Sequence, residues 1–415
     1  MIEFNIAVVI AAGTVLAMGL IAGLVKNHLW ISEPTACLLI GIVIGPAVLN
    51  LADFSSLQVD SDFLLLEVAR LTLAMAVMGA ALRLPSRYEM QHVRGLAIVL
   101  GLGLPAMWLT GAVLASLVLG MSVLPSLLVG AILAPTDPVV AGSVVTGKLA
   151  GRSLPARLRY NLTAESGAND GLGLLFVMLP LLLITHHPGT AIQDWVFKVF
   201  LWEVCGSVVL GLSAGWLTGR VLLWAYRQPY SESHSTLTIG IALALTVLAA
   251  VRLIESDGIL AVFVAGLMLN RIVTDRETRH EHTQEAIGRF FDLPVFVLIG
   301  TMIPWAGWQA LGWPGIVFVL AVLLLRRLPW WLVLRPILPS VKTAGDAVFL
   351  GWFGPMGVAS VYYALLATGE THIETIWPAV SLTVCASVIF HGISSTPLTR
   401  LYRTVSGTDQ TQARR

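Results

Sequence analysis

The chain has 415 residues, of which 56% are hydrophobic and only 12% charged, with 25 Lys and Arg against 24 Asp and Glu; its mean hydropathy is +0.83. A soluble domain carries about 25% charged residues, so a soluble fold, a disordered chain, a collagen and a disulfide scaffold are all excluded. What is left is a polytopic membrane protein, and a net charge of +1 gives it no footprint for nucleic acid.

A membrane-crossing helix takes roughly 20 mostly apolar residues. Thirteen such segments follow one another, near 4–25, 35–50, 63–84, 94–119, 123–147, 160–185, 196–224, 236–253, 257–273, 290–304, 312–334, 346–368 and 374–396. The first is not read as a cleaved signal, because Met1-Ile2-Glu3 lacks a positive start. The second and tenth are short, and the tenth reads as tilted or re-entrant. Gly41 and Gly45, and Gly211, Gly215 and Gly219, have the small-xxx-small spacing of close helix contacts. Cys37, Cys205 and Cys385 lie in apolar runs and read as buried small hydrophobes. His280-Glu281-His282 stands among charges and reads as a solvated loop, not a metal site. Residues 1–398 thus form one transmembrane domain, and 399–415 a short cytoplasmic tail.

Orientation follows from the loops, since cytoplasmic loops collect Lys and Arg. Twenty basic residues fall in alternate loops, from Lys26 to Arg415, whereas the opposite loops hold only Lys198 and Arg252. Arg70, Arg326 and Arg327 lie inside segments. Thirteen all-α spans in the cell (inner) membrane, with the N-terminus outside and the C-terminus in the cytoplasm, satisfy this asymmetry.

An ionisable residue at membrane depth is costly and marks function by default. The fifth segment is broken by Ala134-Pro135-Thr136-Asp137-Pro138. Pro135 and Pro138 remove backbone donors and should unwind the helix there, leaving carbonyls and a half-helix N-terminus for an ion. The plainer reading is a proline kink with Asp137 capping the second half. In the sixth segment, Ser166 and Asp170 are i, i+4 and share a face with Thr163, while Glu165 and Asn169 form a second i, i+4 pair. The first face offers oxygen ligands for a hard cation. Glu165 on the second needs a basic partner, and Arg327 or Arg326 in the eleventh segment is the candidate for a structural ion pair. The twelfth segment is broken by Gly354-Pro355-Met356-Gly357. Interrupted helices in corresponding positions of two halves point to an inverted-repeat transporter with its site at the midplane.

Thr136-Asp137-Pro138 followed by Glu165-Ser166-Gly167-Ala168-Asn169-Asp170 resembles the monovalent cation/proton antiporter superfamily, in particular its Asn-Asp branch of NhaP- and NHE-like sodium/proton exchangers. Gly41-Ile42-Val43-Ile44-Gly45-Pro46, the stretch from Gly258 to Gly266, Arg326-Arg327 and Phe390-His391-Gly392 extend the likeness along the chain. The resemblance implies an NhaA-like fold: a core bundle with two crossed discontinuous helices, plus dimerisation helices, assembled as a homodimer. It implies that Asp170 carries the ion and the proton, that Ser166 and Thr136 supply oxygens to Na⁺ (Thr136 by its hydroxyl or backbone), and that Asn169 stands where electrogenic relatives have a second aspartate. Asp137 matches the acid of the crossed helices, and Glu165 the structural glutamate. Met356 departs from the pattern, since relatives often carry Arg there.

The expected activity is exchange of Na⁺, or Li⁺, for H⁺ by competition for Asp170 with alternating access, electroneutral at one for one, without a resident cofactor. K⁺/H⁺ antiport on the same fold is the alternative. An intramembrane aspartyl protease lacks its Gly-x-Gly-Asp context here, and a cation channel would expect carbonyl filters or acidic rings. No Gly-x-x-x-x-Gly-Lys-Ser/Thr loop is present to hold a nucleotide. The partners expected are membrane lipid and a second copy of the chain.

Overall fold

The structure is a computed structural model that describes residues 2–25, 30–52, 61–228, 236–273 and 281–405. Among these, every regular element is a helix. In chain order, short connecting turns of helix aside, the helices are α1 (Ile2–Leu24), α2 (Glu33–Ile44), α3 (Ser61–Arg83) and α4 (Val93–Leu119), then α5 (Val123–Leu133), α6 (Pro138–Val145), α7 (Ala156–Thr185) and α8 (Pro188–Ala225). There follow α9 (Thr236–Leu253), α10 (Gly258–Val273), α11 (Glu281–Thr301), α12 (Trp305–Leu325), α13 (Leu328–Leu334), α14 (Ala344–Trp352), α15 (Val358–Thr371) and α16 (Ile376–Val405). Each predicted segment coincides with one helix or with a broken pair. Seven stretches are long and apolar enough to cross a membrane: α3, α4, α5 with the start of α6, α7, α8, α12 with α13, and α16. Exposed apolar side chains such as Leu117, Trp224 and Trp313 fit a lipid-facing surface.

The differences from the sequence reading have local causes. The eleventh segment is two helices, because the chain leaves helical geometry at Arg327 (φ −120°, ψ −46°) just before Pro329. Its first half also kinks at Gly312, whose φ of 53° and ψ of −143° suit only glycine, ahead of Pro314. The helix expected to end at 396 continues to Val405, because Tyr402 is docked. Its hydroxyl donates to Asp346 Oδ1 at 2.6 Å, and Arg157 holds the other oxygen of that carboxylate at 2.6 Å. Cys37 and Cys385 are buried, but Cys205 is exposed on α8. Residues 406–415 of the expected tail, and the side chains of the His280-Glu281-His282 cluster, lie outside the described residues.

α7 is the axis of the bundle, touching α3, α5, α6, α10 and α15. Around it, glycines let helices meet at backbone distance. A Cβ on Gly41 would collide with the Val297 carbonyl on α11, and Cβ atoms on Gly211 and Gly215 with the Ala261 and Ala265 carbonyls on α10. Gly215→Leu is therefore expected to force α8 off α10 and to cost about 1–3 kcal/mol from overpacking. The check is a fall in thermal stability of the detergent-solubilised protein, against no change for Gly189→Ala, where a Cβ meets nothing.

Candidate functional site

The two broken helices cross. α5 ends at Leu133 ahead of Pro135, and Pro138 opens α6. α14 ends at Trp352, and Gly357 precedes α15. At the crossing the Asp137 N–H donates to the Pro355 carbonyl at 2.8 Å. The Asp137 carboxylate caps both outgoing half-helices: Oδ1 accepts the Val139 and Val140 N–H groups at 2.6 and 3.0 Å, and Oδ2 accepts the Val358 N–H. Helix N-termini carry partial positive charge and unsatisfied donors, so one buried carboxylate answers two of them. A Cβ on Gly357 would land on that carboxylate. Gly357 is thus the close-approach residue of the second break.

Arg326 does the converse for the incoming half-helices. Its Nη1 donates to the carbonyls of Leu133, Ala134 (2.8 Å) and Pro135 (3.4 Å), and its Nη2 to that of Gly354 (2.6 Å). Carbonyls at the ends of both incoming half-helices are thereby taken up by one guanidinium. Arg327 turns the other way and forms a bidentate pair with Glu165, with both side chains at most 2% exposed. It also donates from Nε to the Leu350 carbonyl at 2.9 Å and stacks over Trp331. Of the two arginines, Arg327 is the one that meets Glu165.

Thr136, in the unwound stretch, is clamped by Asn169 of α7. Asn169 Oδ1 accepts the Thr136 N–H at 3.1 Å, and its Nδ2 donates to Thr136 Oγ1 at 2.8 Å. Thr136 Oγ1 lies 3.1 Å from Ser166 Oγ. All of these residues are fully buried. Whichever hydroxyl donates between Thr136 and Ser166, Ser166 Oγ keeps at least one of its two lone pairs beyond that contact.

Asp170 is the exception to this saturation. It is completely buried, and neither carboxylate oxygen has a hydrogen-bond partner among the described residues. It lies one helical turn from Ser166, on the same face of α7. A buried carboxylate with no partner is expensive, and the neutral oxygens of Ser166 and Thr136 suit a hard monovalent ion. No group of three or more His, Cys, Asp or Glu is placed to hold a resident metal among the described residues.

One participant escaped sequence reasoning. Tyr363 donates its hydroxyl to the Asp170 main-chain carbonyl at 2.6 Å, and no motif points to it. Met356, at the second break, has its side chain in the hydrophobic core and donates its N–H to Ser387 Oγ at 2.8 Å.

Residues 13–401 match the family described as sodium/hydrogen exchanger, transmembrane. The chain is 30% identical to a Na(+)/H(+) antiporter of Saccharomyces cerevisiae over 89% of its own length, spanning 41% of that protein. It is also 30% identical to a Na(+)/H(+) antiporter of Schizosaccharomyces pombe, covering 94% of this chain and 89% of that one. In three dimensions it is similar to the sodium proton antiporter MjNhaP1 of Methanocaldococcus jannaschii, with a TM-score of 0.71 at 20% identity over 96% of this chain and 99% of the other. Matched along nearly its whole length, and carrying the crossed broken helices of an antiporter fold, the chain belongs to the transmembrane sodium/hydrogen exchanger family.

Proposed function

We propose that the protein is a secondary transporter, not an enzyme, which exchanges Na⁺ for H⁺ one for one across the membrane. The observation that carries this reading is the Asp170 carboxylate, buried without a partner among the described residues and one helical turn from Ser166, whose hydroxyl meets that of Thr136. As a bare anion it is strongly disfavoured away from water. Either a proton or a sodium ion relieves that cost, and the two cannot occupy it together. Exchange follows if only the filled forms move between the two sides. Asn169 brings no second charge, and its amide is spent on Thr136, which supports electroneutral exchange.

Asp137 supports the transporter reading over an aspartyl protease. Its two oxygens accept three backbone N–H groups, whereas a protease dyad shares a proton between its carboxylates. In the proposed setting the chain crosses the inner membrane thirteen times, N-terminus outside, and pairs with a second copy. The loop asymmetry of Lys and Arg supports the orientation. The test is purified protein in liposomes holding a pH-sensitive dye, challenged with Na⁺, Li⁺ and K⁺ across pH. Na⁺ is expected to release protons, independent of an imposed potential. Release driven by K⁺ alone would make it a K⁺/H⁺ antiporter, and a response to no cation would overturn the proposal.

A further inference from the structure

A cavity of about 510 Å³ opens between α3, α7, α8, α15 and the turn joining α9 to α10. By the orientation proposed above it lies on the extracytoplasmic side, away from the basic loops. Its charge is hidden by a simple count of residues. The Lys and Arg residues on its wall are Arg70, Lys198 and Arg252, with the imidazole of His186 also on it. Two of them are paired with carboxylates that are not part of the wall: Arg70 with Glu67 at 2.5 Å, and Lys198 with Glu255 at 3.6 Å. That leaves Arg252 against four wall carboxylates, Asp194, Glu203, Asp257 and Glu370.

Asp257 stands apart from the other three. It is only 7% exposed. Its Oδ1 caps α10, accepting the Ile259 and Leu260 N–H groups at 2.9 and 3.3 Å, while its Oδ2 is buried with no partner among the described residues. A carboxylate needs only one oxygen to cap a helix, so the second is left for a ligand that comes through the cavity. Tyr363 lines the same cavity, and its hydroxyl holds the main-chain carbonyl of Asp170. One aromatic side chain therefore touches both the acidic cavity and the main chain at Asp170.

We infer that this cavity is an outer vestibule for a monovalent cation, with Asp257 Oδ2 as its receiving group, Glu203 as the second acid and Tyr363 as the plug towards Asp170. The inference deepens the exchange reading and rests on it for its direction. An acidic cleft with low-dielectric walls raises the local cation concentration by about 10- to 1,000-fold. The receiving group should therefore set the affinity seen from one side only.

The experiment measures the KM for Na⁺ separately from each side, in right-side-out and in everted vesicles. Asp257→Asn keeps an oxygen to cap α10 and replaces the free one with an amide. It is expected to raise the extracytoplasmic KM by about tenfold and to leave the cytoplasmic KM within about twofold. Glu203→Gln, away from any cap, should move the same value in the same direction and serves if the first variant does not fold. Unchanged values, or equal changes on both sides, would overturn the inference while leaving exchange at Asp170 intact. Should the parent chain exchange no cation, the exchange reading fails, and the vestibule is judged by labelling. Glu203→Cys, with Cys205 replaced by serine, should react faster with a cationic than with a neutral thiosulfonate, and adding Asp257→Asn should remove that preference. Equal rates for the two reagents would overturn the inference.

Discussion

Asp170→Asn is expected to reduce Na⁺-driven proton release to the level of empty liposomes, while the protein still inserts, purifies and melts as before. The substitution keeps the shape of the side chain but removes the carboxylate that we propose proton and cation share, while the other carboxylate at the crossing, Asp137, stays engaged with three backbone N–H groups. The frame around it is untouched. Tyr363 bonds the main-chain carbonyl of residue 170, which remains, and no side-chain partner is lost because the carboxylate has none among the described residues. Removing an unpaired buried charge relieves a desolvation cost, so the variant is expected to stay folded. Proton release that survives in the asparagine variant would end the assignment. Asp170→Glu is a graded companion. Gly167 and Gly171 already touch Phe263 and Leu260 without a Cβ, so one more methylene in this packed region should cost about 1–3 kcal/mol and slow exchange without abolishing it.

The second large effect is on stability. Glu165→Ala strands the Arg327 guanidinium, at 2% exposure, without its carboxylate. Breaking a buried pair by removing one partner costs about 3–5 kcal/mol. Arg327→Met should cost at least as much, because it also abandons the Leu350 carbonyl and the stacking on Trp331. The double variant Glu165→Leu/Arg327→Met should recover part of the loss, since no charge is then left buried and unpaired. Thermal unfolding in detergent measures all three. If the folded double variant still exchanges Na⁺ for H⁺, the pair is a strut. If it is stable but inactive, Glu165 belongs to the transport chemistry.

Helices and breaks were legible in the sequence because they rest on local causes. Apolar runs of membrane length mark the spans, and two prolines within four residues mark the unwinding around Thr136. Helix limits were less legible where polar residues extend a span beyond its apolar part, as in α11, which begins at Glu281, and in α16, which runs to Val405. The break at Arg327 was hidden because apolar residues flank it on both sides. What each buried charge touches could not be read locally at all. Arg326 and Arg327 are neighbours of the same type, yet one meets carbonyls almost 200 positions earlier and the other meets Glu165. Only the packing of four half-helices separates their roles. Tyr363 and Asp257 were missed for the same reason, since their partners and the cavity they line exist only once distant segments meet.

The arrangement of Asp137 and Arg326 has a consequence for what the ion is to the protein. In many metal sites the ion is a keystone, and the surrounding chain collapses without it. Here the chain supplies its own counter-charges to the helix ends, so a sodium ion held at Asp170, as proposed, would be a passenger, and the frame would stand whether it is aboard or not. Such a cargo stabilises its carrier only through mass action, by about 1.4 kcal/mol at ten times its dissociation constant.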